Sequence, residues 1–383
     1  MLFHMMAVFA RCFLVVVIPV AAYERLGSAG EVSVIYLIAS CLAFCTSLFM
    51  PRLLARYGQD LAVHFGLLSA VLMAVFLFLP WKWTLVPAVV AHVLMSALFE
   101  GAAGFAAMRA VPRTLRGHYE SQRVMYGGVG FVVAPFLASV MMHNNMGSLA
   151  VLTASGCGLV AWLIMRISVG SLGNRQSTRP IPGADRTRSS NSSNVLKRFI
   201  ASHGMRTAWL LAVGRAVWWN MLYTYSPLLA IASAVDLVWS GALISATSCL
   251  LLVVPLWAVV LRRNGPRRFM FAAYGACGLL TIFAGIAGHV SFFIAAAFLM
   301  IASIAMSAID SVGNGLFLRA LRQRQATEMV PIFYTFRDVA QISSAAVYAL
   351  LLIVFEVTDV FTFTGIITLG FSLLCLGLPR RAL

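Results

Sequence analysis

Charged residues are what this chain has least of. Only 10% of its 383 residues are Asp, Glu, Lys or Arg, and 61% are hydrophobic. A soluble globular chain carries about 25% charge, so a water-exposed domain of this length is excluded. Short alternating runs of about ten residues, which barrel strands need, are also missing; the apolar runs reach about 20 residues, the length of a spanning helix. Chemical signatures are equally scarce. There is no Walker loop for an ATP-driven pump, no HExxH and no GxSxG. The histidines (His4, His64, His92, His118, His143, His203 and His289) are scattered. The seven cysteines lie inside apolar stretches without CxxC spacing and read as small buried hydrophobes. No enzyme, metal centre or cofactor is expected.

What is present is a succession of apolar spans, expected at about 3–22, 32–50, 61–80, 85–107, 124–142, 148–167, 207–232, 237–261, 269–288, 291–317, 331–355 and 360–378. The first has neither a basic leader nor a small-residue cleavage site, so it reads as a retained span. A loop is expected at 51–60, and Pro135 is expected to break the fifth span. Between the sixth and seventh spans, residues 170–206 turn rich in Ser, Arg, Asn, Gly and Pro. Such a stretch cannot span or build a core, which predicts a linker between a half at 1–169 and a half at 207–383. A short surface helix is expected at 195–199.

Placement of the +16 net charge orients the chain. Loops after the even-numbered spans hold almost all the Lys and Arg, whereas the opposite loops hold only Arg25 and Lys82, with several acids. The positive-inside rule then puts both termini in the cytoplasm, with twelve helices between them. The basic charge is read as a topology signal rather than a nucleic-acid surface. The preference for Arg over Lys points to a bacterial cytoplasmic (inner) membrane.

Two stretches echo each other: MSALFEGAAGFAAMRA at 95–110 and AMSAIDSVGNGLFLRA at 305–320. Each holds one acid, Glu100 or Asp310, with an arginine nine residues further on. Nine helical residues cover roughly 13 Å, which carries both acids towards the middle of a hydrocarbon core of roughly 30 Å. A carboxylate there costs roughly 2.5–3.5 kcal/mol by insertion scales. Bases lie at similar depth: Arg11 in the first span and Arg215 in the seventh. Pairing of Arg11 with Glu100 and of Arg215 with Asp310 would offset the cost. Such pairs are either structural rivets or a site for an ionic substrate or a proton. Polar neighbours follow helical spacing: His92 and Ser96 before Glu100, and Ser303, Ser307 and Asn314 around Asp310. The seventh span adds Trp218, Trp219, Asn220, Tyr223 and Tyr225, which serve either packing or stacking on a planar or cationic substrate.

Twelve spans, a basic linker after the sixth and two similar halves resemble the major facilitator superfamily. In that family the loop after the second span reads G-x-L-x-D-R-x-G-R. Leu53, Arg56 and Gly58 match it, while Pro51, Ala55 and Gln59 depart from it. Arg263 and Gly265 match at the corresponding loop after the eighth span. The family motif latches the outward-facing state through charge, so the missing acid at Ala55 weakens the expected latch. The fifth span, with Gly130, Ala134, Pro135, Ala138 and Ser139, is similar to the exporter signature G-x-x-x-G-P-x-x-G-G. Arg123, Arg337 and Asp338 read as gate or interdomain contacts.

The resemblance implies a cavity lined by the first, fourth, seventh and tenth spans, the four that carry the buried charges, and alternating access by rocking halves. The expected function is secondary transport of a small organic molecule, as proton antiport and efflux, by a monomer in the bilayer. The alternatives are uptake of an organic anion through Arg11 and Arg215, or a transporter-like protein that serves as a sensor or assembly partner.

Overall fold

The computed structural model describes residues 1–110, 116–176, 192–312, 316–317, 329 and 332–378. Within its helices, the side chains of 46–59, 104–110, 116–122, 124, 168–176, 192–196, 255, 258–259 and 262 are not described. The helices are α1 (Leu2–Leu26), α2 (Ala29–Phe78), α3 (Leu85–Ala110), α4 (Arg116–His143), α5 (Gly147–Gln176) and α6 (Ser192–Ala201). They continue with α7 (His203–Ala232), α8 (Leu237–Cys249), α9 (Val254–Asn264), α10 (Pro266–Gly288), α11 (Phe292–Val312), α12 (Phe336–Leu351) and α13 (Val357–Leu374). Among the described residues, eight helices are long and apolar enough to cross a membrane, and Ala29–Cys45 and Leu237–Val253 are shorter apolar helices. The chain is therefore an all-helical, multi-pass membrane protein.

Four expectations change. The loop at 51–60 is helical in its backbone, because α2 runs unbroken from Ala29 to Phe78. Fifty helical residues would measure about 75 Å if straight, more than twice one crossing, so α2 holds the material of two spans. Leu, Ala and Arg, which dominate 52–56, are good helix formers and do not by themselves stop a helix. Likewise α4 is not broken at Pro135, which sits inside a continuous helix. Spanning helices tolerate proline where neighbouring groups re-satisfy the backbone. The eighth span, by contrast, is divided: α8 ends at Cys249, a 3-10 turn covers Leu250–Val253, and α9 starts at Val254. Pro255 lies in the first turn of α9, where its missing N–H costs nothing. Helix α5 also continues into the expected linker as far as Gln176, while the short helix expected at 195–199 is present within α6 (Ser192–Ala201).

The helices gather into two compact units. One comprises Met1–Ile181 with Ser226–Cys249, and the other Pro182–Tyr225 with Leu250–Leu383. In the first unit α1 packs on α3, α4 and α5, α2 packs on α3, and α8 packs on α4. The α4–α8 contact depends on small residues. A side chain on Gly241 of α8 would strike Ser139 and the carbonyl oxygen of Pro135. Ala134, Ala138 and Ser139 are fully buried on the same helix, and Gly130 faces Val8 of α1. The small-residue run of the fifth span thus serves helix packing on two sides, since small residues let backbones approach closely. In the second unit α10 lies between α11 and α13. There Gly278 and Gly365 face each other's helix so closely that a Cβ on either would meet backbone atoms at 2.6 Å.

Candidate functional site

In the second unit, Arg215, Trp219 and Tyr223 recur every four residues and so share one face of α7. That face meets Asp310 on α11. Arg215 Nε lies 3.4 Å from Asp310 Oδ1, and the two side chains retain 14% and 17% exposure. Trp219 donates its indole N–H to Asp310 Oδ2 at 3.0 Å. Each carboxylate oxygen therefore faces a donor of its own. Tyr223 stacks on Trp219 with ring centres 5.3 Å apart and planes 21° off parallel. The guanidinium of Arg215 sits 5.6 Å from the centre of the Phe336 ring on α12. A cation at that distance from an aromatic face is attracted by the ring quadrupole.

Two neighbours in the sequence play other parts. Trp218 is fully buried, and its N–H goes to Thr281 Oγ1 on α10 at 2.9 Å. It presents no surface to a substrate and holds α7 to α10. Tyr225 is buried edge-on to Tyr348, 5.0 Å away. Asn220 is half-buried on α7. Asn314 lies outside the described residues. Of the polar stripe on α11, Ser303 and Ser307 are buried, and Ser307 accepts a hydrogen bond from Trp257 Nε1 at 3.0 Å.

In the first unit the charges are arranged differently. Arg11 lies over the ring of Phe131 on α4, 5.4 Å from its centre. Among the described residues no ion pair joins it to Glu100, so the symmetrical pairing of the two halves does not hold. An aromatic face can take a guanidinium in place of a carboxylate. Arg11, Glu100 and Arg123 all act electrostatically on His4, which places four ionisable groups from α1, α3 and α4 in one neighbourhood. Glu100 and Arg123 are each engaged in further interactions. Arg11 also acts on His92. The Nδ1 atom of His92 is buried without a hydrogen-bond partner among the described residues, while its backbone carbonyl accepts the Ser96 hydroxyl at 3.0 Å. An unsatisfied buried ring nitrogen is costly and calls for an explanation.

The motif residues are dispersed. The side chains of Leu53, Arg56 and Gly58 lie outside the described residues. Arg263 is exposed at the end of α9, and Gly265, with φ 73°, joins α9 to α10. Arg337 lies over Tyr334 and Phe336 at 5.6 and 5.8 Å, and Asp338 beside it is half-buried. Sequence reasoning missed Phe131, Phe336 and His4. Phenylalanines inside apolar spans carry no mark of their own, and His4 sits too close to the chain start for a depth argument.

A family model described as Major Facilitator Superfamily matches residues 1–345. No curated protein matches the chain. Solved structures do. One is a POT family transporter in complex with 5-aminolevulinic acid, with TM-score 0.73 and 12% identity over 98% of this chain and 95% of that one. Another is a mutant of the peptide transporter POT in complex with alafosfalin, with TM-score 0.73 and 15% identity over 98% and 93%. A third is a bacterial homologue of the iron transporter ferroportin in an inward-facing state, with TM-score 0.70 and 14% identity over 98% and 95%. At these identities the likeness concerns the fold alone.

Proposed function

Since the chain belongs to the Major Facilitator Superfamily and is a membrane transporter rather than an enzyme, we propose that it is a proton-coupled exporter of a small organic molecule. It would have twelve spans in two halves, 1–169 and 207–383, joined by a cytoplasmic linker. It would work by alternating access, as a monomer in a bacterial cytoplasmic membrane, with both termini inside. The observation that supports this reading is the Arg215–Asp310–Trp219 arrangement, an ion pair between α7 and the apolar helix α11 that keeps partial exposure.

A carboxylate held by a guanidinium stays ionised in an apolar setting; separated from it, the same carboxylate gains from taking a proton. Movement of α7 relative to α11 would lengthen the 3.4 Å contact and make Asp310 a proton acceptor. A proton taken up from outside then replaces the electrostatic hold on a departing substrate. Trp219 and Tyr223 supply a flat stacked surface for a planar or cationic molecule. Glu100, Arg11, His92 and Arg123 form the second polar locus. Efflux rather than uptake is favoured by the small-residue run from Gly130 to Ser139, which resembles the exporter signature.

A second reading, uptake of an organic anion, is favoured by one observation: Arg11 rests on an aromatic ring rather than on an acid. The test is transport in proteoliposomes under an imposed pH gradient, with a panel of organic cations and anions and a trapped pH dye. Antiport predicts that substrate and protons move in opposite directions. It also predicts that Asp310→Asn loses gradient-driven flux while keeping substrate exchange. Full coupling retained in both Asp310→Asn and Glu100→Gln removes the proton role. Flux in the direction of the protons favours uptake, and no flux with any substrate favours the sensor or assembly role.

A further inference from the structure

A groove of about 520 Å³ lies on the second unit, walled by α9, α10 and α11. Its walls are built from helical stripes. Ile301, Ile304, Ala305 and Ala308 follow the i, i+3, i+4, i+7 face of α11. Arg268, Ala272, Ala276 and Leu280 recur every four residues along α10, and α9 adds Trp257, Val260 and Asn264. The alanines explain the hollow, because larger aliphatics there would close it.

Polarity is confined to one end. Trp257 has given its N–H to Ser307, so it offers the groove only its ring. Among the described residues that leaves Asn264 and Arg268 as the polar side chains, and no acid among them lines the groove. Both are exposed, at the basic junction that also carries Arg263 and Arg267. Helix α10 begins there, at Pro266; proline has no N–H, Gly265 donates to Leu261 and Phe269 to Gly265, so the first-turn amides without an intrahelical acceptor are those of Arg267 and Arg268. Such amides favour an anion. From Arg268 to Leu280 the groove follows α10 for about 18 Å, close to the roughly 15 Å depth of one leaflet of hydrocarbon.

A hydrocarbon trough one leaflet deep with a cationic mouth matches one kind of occupant. We propose that this groove binds an anionic glycerophospholipid of the surrounding bilayer, with an acyl chain along Ala272, Ala276 and Ala305 and the phosphate at Arg268 and Asn264. The site is separate from the Arg215–Asp310 pair and does not depend on the transport reading. Each additional CH₂ in the trough strengthens binding, and the arginine sets the headgroup preference.

The test uses the full chain in nanodiscs. Phosphatidylglycerol or phosphatidylcholine with brominated acyl chains is titrated in, and quenching of Trp257 is read as the difference from Trp257→Phe. Phosphatidylglycerol should reach half-quenching at about fivefold lower fraction than phosphatidylcholine. Arg268→Gln, a surface change, should abolish that preference while leaving quenching by both lipids. Ala305→Phe should remove quenching by both, and Ala276→Leu serves as the groove-filling variant if Ala305→Phe does not fold. Equal quenching by the two lipids in the unaltered protein would overturn the proposal. So would quenching that survives the filling of the groove. Displacement by a non-ionic detergent that is equally easy with and without Arg268 would mean a surface wetted by any hydrocarbon, and would also overturn it.

Discussion

Trp219 donates its indole N–H to Asp310 Oδ2 at 3.0 Å, on the oxygen that Arg215 does not face. The acid on α11 is thus gripped from two positions one turn apart on α7, and each grip can be removed separately.

The ion pair is the first to test. Asp310→Ala leaves the Arg215 guanidinium in an apolar setting without its counterion, and breaking a buried pair in this way costs about 3–5 kcal/mol. Arg215→Gln alone should be similarly damaging. The double variant should be less destabilised than the two single effects added together, because no uncompensated charge remains. Thermal unfolding in detergent, followed for the four proteins of the cycle, checks this. Additive losses would show that the two charges do not depend on each other.

Trp219→Phe keeps the ring stacked on Tyr223 and deletes only the hydrogen bond to Asp310. A hydrogen bond to a charged group is worth about 1.5–3 kcal/mol, so gradient-driven flux should fall at least about tenfold. Tyr223→Leu does the reverse. It keeps the bond and removes a stacking partner worth about 0.5–1.5 kcal/mol, so KM for a planar substrate should rise more than kcat falls. Equal effects of the two variants on KM and kcat would mean that neither residue meets substrate.

His92 offers a cleaner separation of roles. Its buried Nδ1 has no partner among the described residues, and such an atom costs about 1–3 kcal/mol. His92→Leu should therefore leave stability unchanged or raise it, while lowering transport if the ring takes a substrate or a proton. A drop in Tm together with unchanged transport would mark His92 as a packing residue only.

Glycine contacts predict where the fold itself is intolerant. Gly365→Val on α13 drives a side chain into the backbone of α10 at Ile282, which cannot give way. Overpacking of this kind costs about 1–3 kcal/mol or more. Gly241→Val should cost less, because one of its obstacles is the Ser139 side chain. Combining it with Ser139→Gly should recover part of the loss. Monodispersity and Tm of the detergent-solubilised protein measure both.

Much of the architecture was readable residue by residue. Spans announce themselves because every backbone polar group in hydrocarbon must be satisfied within the segment, which forces long uninterrupted apolar helices. The Arg215–Asp310 contact was legible for a related reason: an ionised group in an apolar segment is costly enough that each one present needs a nearby partner. Helix breaks were less legible. Pro135 leaves α4 intact, whereas α8 ends several residues before Pro255, since a proline ends a helix only where nothing nearby stands in for the lost bond. The motif residues Leu53, Arg56 and Gly58 lie on the continuous backbone of α2, where the sequence pattern points to a loop, and their side chains lie outside the described ones.

Composition and spacing alone determined that this is a helical membrane protein with ionised groups inside its spans, because solvation energies depend on residue type and depth before any partner is chosen. Which partner each charge takes was decided only by packing. Arg215 found Asp310, whereas Arg11 came to rest on Phe131. The same held for the two neighbouring tryptophans: Trp219 turned to an acid and Trp218 to a threonine. One residue of helical rotation, about 100°, separates those fates. That angle acquires meaning only when the surrounding helices are in place.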